Sequence, residues 1–338
     1  MLIHVHHYGQ QLYKCLIRVY YRSQMKLTIM TPRQEFSQSL QKRLKQLGAV
    51  SYTKTRSKYS LKSLEKLCQG SSILGIDPDN LGGFEVAKKT LNQLISKLPD
   101  VKHLALSTTS YGYIDFSLMN SRSITVSNVP NYSRESVAEH TIAMLLNLSK
   151  RILITERRTI SGKYQITEGF ELKGKTLGVI GFGSIGSRVA ELCLGLGMKV
   201  IAYNRTPKHH SGVTFESLTN IVSKSDAISL HLAHTDKTEG LISKDLISKF
   251  KPGVIIINTA DRSLIDEHAL ASAIKSGLVD SYSAEVEDLT SPPLGKLENA
   301  ILIKSYGWYT REALENNKKI WVDNMVNASQ GKFTTKVN

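Results

Sequence analysis

The chain has 338 residues, 41% of them hydrophobic, and 44 basic against 29 acidic side chains give a net charge of +15. No apolar run reaches the length of a membrane span, and Cys15, Cys68 and Cys193 are too scattered for a disulfide frame or a zinc site, so a reduced, cytoplasmic protein is expected. The excess charge raises nucleic acid as a partner, but no basic run exceeds two residues; a solvated basic surface that partly serves an anionic cofactor is the expected reading, without a specific nucleic-acid site.

Residues 1–24 differ from the rest. They contain no acid, and they lack both the apolar core and the cleavage site of a secretory signal. They read as an N-terminal extension. His4, His6 and His7 within it have metal-ligand chemistry, with a chance surface cluster as the competing reading, and no metal is expected elsewhere.

A first strand is predicted at "KLTIM" (26–30). Apolar residues at helical spacing predict a helix over 33–47, stopped by Gly48. "SILGID" (72–77) reads as a strand, 84–98 as a helix, and "VKHLALS" (101–107) as a strand entering the polar loop "TTSYGYID". Ser133 is expected to cap one long helix, "RESVAEHTIAMLLNLSKRILITERR". Its apolar band, Val137, Ile142, Leu145, Leu146 and Ile152, is wide enough to pack on two surfaces. A second series of strands and helices follows, including "LISKDLISKF" as a helix. Such alternation implies βαβ units and doubly wound parallel sheets.

"GFGSIG" (181–186) sits between the apolar strand "TLGVI" and a helix, the context that a dinucleotide fingerprint requires. Gly181 permits the tight turn, Gly183 lets backbone approach a pyrophosphate, and Gly186 lets helix and strand pack closely. Ser184 and Ile185 open the helix whose N-terminus would face the phosphates. The second strand ends at Asn204, Arg205 and Thr206, with Lys208 just beyond. An NAD site usually has an acid there; without it a 2′-phosphate is not repelled, and Arg205 could pair with it. NADP is therefore favoured over NAD, with an ordinary solvated turn as the alternative.

Taken together, "TTSYGYIDF", "ITVSNVPNYSRESVAEHT", "LKGKTLGVIGFGSIGSRVAELCLGLGMKVIAYNRTP", "SDAISLHL", "KPGVIIINTA" and "LIDEHALASAIKSG" resemble the D-isomer-specific 2-hydroxyacid dehydrogenases over roughly 26–330. The resemblance implies two Rossmann-like or flavodoxin-like domains, with a cofactor domain (128–308) inserted into a substrate domain (25–127 plus 309–338). It also implies an active site in the cleft and a homodimer built through the helix near 133–155. Thr108, Thr109, Ser110 and Tyr111 fall on the substrate loop; His231, Thr259, Ala260 and Glu285 fall on the cofactor side.

The resemblance further implies an arginine that binds the substrate carboxylate, and a histidine acid/base whose partner is a glutamate. This chain departs at all three. Asp261 stands at the arginine position, with Arg262 one residue on; Thr290 stands at the glutamate position and Ser305 at the histidine position. No histidine follows His268. A carboxylate about 4 Å from a substrate carboxylate is repelled by about 4 kcal/mol at an effective dielectric near 20. Ordinary 2-keto acid reduction is therefore not expected. Lys304, Arg262, Tyr306, Tyr309, Glu285, Glu287 and Ser107 are candidate replacements, each with a plain structural reading, and Asp261 suits a cationic or polyhydroxylated substrate. Three functions stay open: an oxidoreductase with an altered site and an unknown small-molecule substrate, a silent cofactor-binding protein that acts as sensor or partner, or a structural dimer that has lost the cofactor, against which the intact glycines argue.

Overall fold

A computed structural model describes residues 25–206, 208–286 and 293–338. The extension with His4, His6 and His7, and the candidates Glu287 and Thr290, lie outside the described residues. The described chain divides into two compact units, 25–132 with 314–338, and 133–313. Among the described residues no helix is long and apolar enough to cross a membrane.

The first unit holds β1 (Lys26–Ile29), β2 (Ala49–Tyr52), β3 (Ile73–Ile76), β4 (His103–Leu106) and β5 (Thr125–Ser127) in one parallel sheet, ordered β2-β1-β3-β4-β5. That is the flavodoxin-like order. Its helices are α1 (Gln38–Lys45), α2 (Leu61–Cys68), α3 (Pro78–Leu81), α4 (Phe84–Ser96) and α5 (Phe116–Ser121). β3 and β4 are buried at every residue, as central parallel strands covered on both faces must be.

The helix expected over 33–47 breaks in two. Arg33–Glu35 form a 3-10 turn, Phe36 is extended, and Ser37 caps α1 by accepting from Leu40 N. Core packing overrides the periodicity here. Phe36 is buried with its ring centroid 5.7 Å from that of Trp321, and Gln41 Nε2 donates to the Phe36 carbonyl at 2.7 Å, satisfying the interrupted backbone.

The second unit holds β6 (Thr176–Ile180), β7 (Lys199–Tyr203), β8 (Val213–Phe215), β9 (Ala227–Leu230), β10 (Val254–Asn258), β11 (Val279–Val286) and β12 (Ala300–Lys304). All pairs are parallel, in the order β12-β11-β10-β9-β6-β7-β8, which contains the Rossmann order. Its helices are α6 (Arg134–Lys150), α7 (Ile152–Ile160), α8 (Ser184–Gly195), α9 (Leu218–Lys224), α10 (Lys244–Ile247) and α11 (Glu267–Ser276); α12 (Arg311–Ala328) begins in it. Register places Ile180, Leu230, Asn258, Ala284 and Leu302 in one row across the sheet. The next residue of each strand or loop therefore lies at one carboxyl edge, where open α/β sheets bind ligands.

Four expectations change here. The long helix from 134 is two helices, broken at Arg151 in the left-handed region (φ 60°). Ser133 precedes it without a side-chain cap bond, and Ile152, expected in the apolar band, is exposed. Arg151 is itself buried: its guanidinium binds both oxygens of Asp280 at 2.6 and 2.7 Å, and Nε donates to the Glu168 carbonyl at 3.2 Å. This anchoring holds the break. Finally, "LISKDLISKF" is helical only over Lys244–Ile247, because Ile242 bridges to Ile265 instead.

Candidate functional site

The fingerprint loop leaves β6 at Gly181, whose φ of +99° suits glycine. A Cβ there would lie 2.6 Å from the His231 carbonyl oxygen, so β6 and the loop after β9 approach too closely for a side chain. A Cβ on Gly186 would lie 2.1 Å from the Gly181 carbonyl oxygen, which fixes how α8 seats on β6. Gly183, at the N-cap of α8, is exposed and has nothing within 4 Å of a Cβ. Two glycines are thus required by the fold, while the third leaves open space at a helix N-terminus. That is the cradle a dinucleotide pyrophosphate needs, so the residues present fit the cofactor.

The loop after β7 is tied to this cradle. Asn204 Oδ1 accepts from Phe182 N at 3.1 Å, Asn204 Nδ2 donates to the Thr206 carbonyl at 2.8 Å, and Lys208 Nζ donates to the Phe182 carbonyl at 2.8 Å. Arg205 and Thr206 are exposed. Ser184 carries a carbonyl that accepts from Arg134 Nε at 3.1 Å, and Ile185 is partly buried against the core beneath. His231 Nε2 and Ser229 Oγ are 2.7 Å apart, and burial pushes the His231 pKa down to about 4, so the ring is neutral at pH 7.

At the end of β10, Asn258 organises the turn: its Oδ1 accepts from Ala260 N at 2.9 Å and its Nδ2 donates to the Asp261 carbonyl at 3.1 Å. Thr259 Oγ1 lies 3.2 Å from Thr141 Oγ1 of α6. Asp261 and Arg262 do not form a pair with each other. Asp261 Oδ1 accepts from Ser263 N at 2.9 Å and Ser263 Oγ at 2.6 Å, capping the 3-10 turn 262–264. Arg262 turns to Glu267 and binds both its oxygens, at 2.8 and 2.5 Å. Partial burial pushes the Asp261 carboxyl up, but the Ser263 bonds and the charges of His234 and Arg262 outweigh it, leaving it below the usual carboxylate range.

Glu285, at the end of β11, is buried, and its Oε1 accepts from Tyr306 N at 2.7 Å and Gly307 N at 2.6 Å. His140 Nε2 of α6 approaches the same oxygen at 3.4 Å. Ser136 Oγ donates to the Gly307 carbonyl. The segment after β12 is thus clamped on both sides just past Ser305, while Lys304 still belongs to the strand, opposite Val286. Trp308 and Tyr309 pack edge to face at 5.0 Å, with Tyr306 and Tyr309 largely exposed.

The loop 108–111 lies in the other unit and is ordered from within it. Thr108 Oγ1 donates to the Ser110 carbonyl at 2.7 Å, Thr109 Oγ1 donates to the Val129 carbonyl at 2.8 Å, and Tyr111 is exposed. The Ser107 carbonyl accepts from Asn317 Nδ2 at 2.8 Å. Reading the sequence missed His140 and His234. Both lie far along the chain from the positions where a histidine was sought, and only the sheet brings them to this edge.

Residues 142–304 match the family model for the NAD-binding domain of D-isomer-specific 2-hydroxyacid dehydrogenases. The chain is 34% identical over 288 residues to an aromatic 2-oxoacid reductase of Clostridium sporogenes, covering 79% of this chain and 84% of the relative. It is 34% identical over 249 residues to a D-3-phosphoglycerate dehydrogenase of Archaeoglobus fulgidus, covering 71% of this chain but only 47% of that relative, so this chain spans about half of that protein's length. Among solved structures, an acyclic imino acid reductase in complex with NADPH and D-Arg is similar with a TM-score of 0.77 and 28% identity, covering 93% of this chain and 100% of that one. The chain belongs to the D-isomer-specific 2-hydroxyacid dehydrogenases, a family of NAD-binding oxidoreductases.

Proposed function

We propose that this protein is an NAD(P)H-dependent oxidoreductase with a rebuilt reacting centre, and that it does not reduce ordinary 2-oxo acids. The observation that carries this reading is the turning of Arg262 into its own pair with Glu267, next to Asp261 at the position where the resemblance implies an arginine. A carboxylate substrate would meet like charge, and Arg262 could attract it only by giving up that pair.

The test is turnover of glyoxylate, hydroxypyruvate and phenylpyruvate with either cofactor. We expect none, and none in Asp261→Arg either, because Thr290 and Ser305 still lack the acid and the base. Robust hydroxypyruvate reduction by the unaltered chain would overturn the proposal, and rescue by the single substitution would show that the site has been misread.

For the cofactor we propose NADPH. Asn204 places an amide, not a carboxylate, at the end of β7, with Arg205 and Lys208 beside it. Charge-assisted bonds to a phosphate are worth about 1.5–3 kcal/mol, so we expect NADPH to bind about tenfold or more tighter than NADH in calorimetric titration. Asn204→Asp should reverse that order; equal affinities in both proteins would refute it.

A further inference from the structure

The loop after β9 carries a histidine outside the cradle. His234 Nδ1 lies 4.0 Å from Asp261 Oδ2, and His234 Nε2 lies 3.9 Å from Glu239 Oε2. The side chains of His234 and Asp261 are about half exposed, and that of Glu239 is 65% exposed. An imidazole therefore stands at the carboxyl edge between two carboxylates, one of them at the substituted arginine position.

Both sides of this contact are built. Ser263 N and Oγ hold Asp261 Oδ1, which leaves Oδ2 to face the ring. The His234 loop is folded on itself: Thr238 Oγ1 donates to the Ala233 carbonyl at 2.8 Å and accepts from Thr235 N at 2.9 Å. Strand order makes the two loops neighbours, since β9 and β10 pair directly with Leu230 opposite Asn258. The other charged groups of these segments are Asp236 and Lys237, both exposed, and Arg262, which is turned to Glu267.

Resting on the oxidoreductase reading, we infer that His234 is the acid/base of the rebuilt centre and that Asp261 is its positioning residue. An imidazole oriented by a carboxylate is a general arrangement for moving a proton to or from a reacting oxygen or nitrogen. Contacts of this kind tighten when substrate binds, so 4.0 Å in the free protein is compatible with the role. The arrangement explains an acid at this position: Asp261 cannot anchor a substrate carboxylate, but it can fix the Nδ1–H tautomer.

NAD(P)H supplies a hydride, two electrons, and leaves as NAD(P)+. The C=O or C=N bond that is reduced sends its π pair to the heteroatom, which takes the proton from His234 Nε2. The neutral imidazole then regains a proton from water. Glu239, at the solvent side, gives way to the substrate. The substrate class is a carbonyl or imine with no carboxylate next to the reacting carbon.

The test has two arms on the full chain. Long-range proton–nitrogen spectra of the histidine rings, assigned with His234→Gln and recorded with NADPH, should show Nδ1–H bonded to a carboxylate in His234, and Asp261→Asn should remove that signature. NADPH oxidation with glycolaldehyde, cyclohexanone and pyrroline should show turnover of at least one probe. With that probe His234→Gln should lower kcat/KM by roughly a hundredfold or more, and should abolish the fall in rate toward high pH. Asp261→Asn should lower it less and change the pH profile. A His234 ring without a carboxylate-bonded signature overturns the inference; so does an unchanged pH profile in His234→Gln, or NADPH binding without turnover of any probe. Failure of both cofactors to bind defeats the oxidoreductase reading instead, and is read independently by calorimetry.

Discussion

Gly186→Ala is expected to lose about 3 kcal/mol of stability and all measurable dinucleotide binding. The added Cβ would meet the Gly181 carbonyl oxygen at 2.1 Å and Val179 Cγ1 at 3.2 Å. Backbone oxygen cannot swing away as a side chain can, so α8 must shift off β6, at the upper end of typical overpacking costs of about 1–3 kcal/mol. Gly183→Ala is the contrasting case. Nothing lies within 4 Å of its Cβ, so stability should change by less than about 0.5 kcal/mol. Cofactor affinity should nevertheless fall steeply, because the open space is where a pyrophosphate approaches the backbone. Denaturant unfolding and calorimetric titration of both variants separate the two effects. Full NADPH affinity in Gly183→Ala would mean that the phosphates lie elsewhere.

Arg151→Met should destabilise the second unit by about 3 kcal/mol or more. The substitution removes a nearly buried guanidinium and leaves Asp280, whose side chain is only 26% exposed, without its bidentate partner. Breaking one side of a buried pair costs about 3–5 kcal/mol, whereas replacing both partners by apolar residues is often neutral. The double variant Arg151→Met/Asp280→Leu should therefore recover most of the loss. At roughly 2–4 °C per kcal/mol for a unit of this size, the single variant should melt about 6–12 °C lower. A double variant as unstable as the single one would show that the ion pair is not the source, and would leave the left-handed backbone at Arg151 as the alternative.

Much of the fold was legible because its central strands are continuous apolar runs. "VIIIN" and "ILGI" are buried at every residue and bounded by polar loops. The short outer strands were not legible: β2 and β5 have four and three residues, too few for a periodic signal. Helix breaks at Phe36 and Arg151 were hidden for another reason, because each depends on a distant partner, Trp321 in one case and Asp280 in the other.

The cradle could be read from glycine spacing, since Gly181 and Gly186 each meet a local steric demand. The reacting edge could not. The sequence "DR" does not say where either charge goes: one caps a turn and the other binds a helix. His234 gave no signal at all, because its nearness to Asp261 follows from the pairing of β9 with β10 and from no sequence spacing.

That strand order has a wider consequence. The cradle follows β6 and β7, on one side of the point where the order reverses, and Asp261 and Ser305 follow β10 and β12, on the other. The two sets of loops hang on different strands of one shared parallel sheet. Residues past β10 and β12 can therefore be exchanged without disturbing the contacts of Gly181 and Gly186 at β6. The order of strands is what keeps the residues that shape the glycine turn apart from those at the ends of β10 and β12.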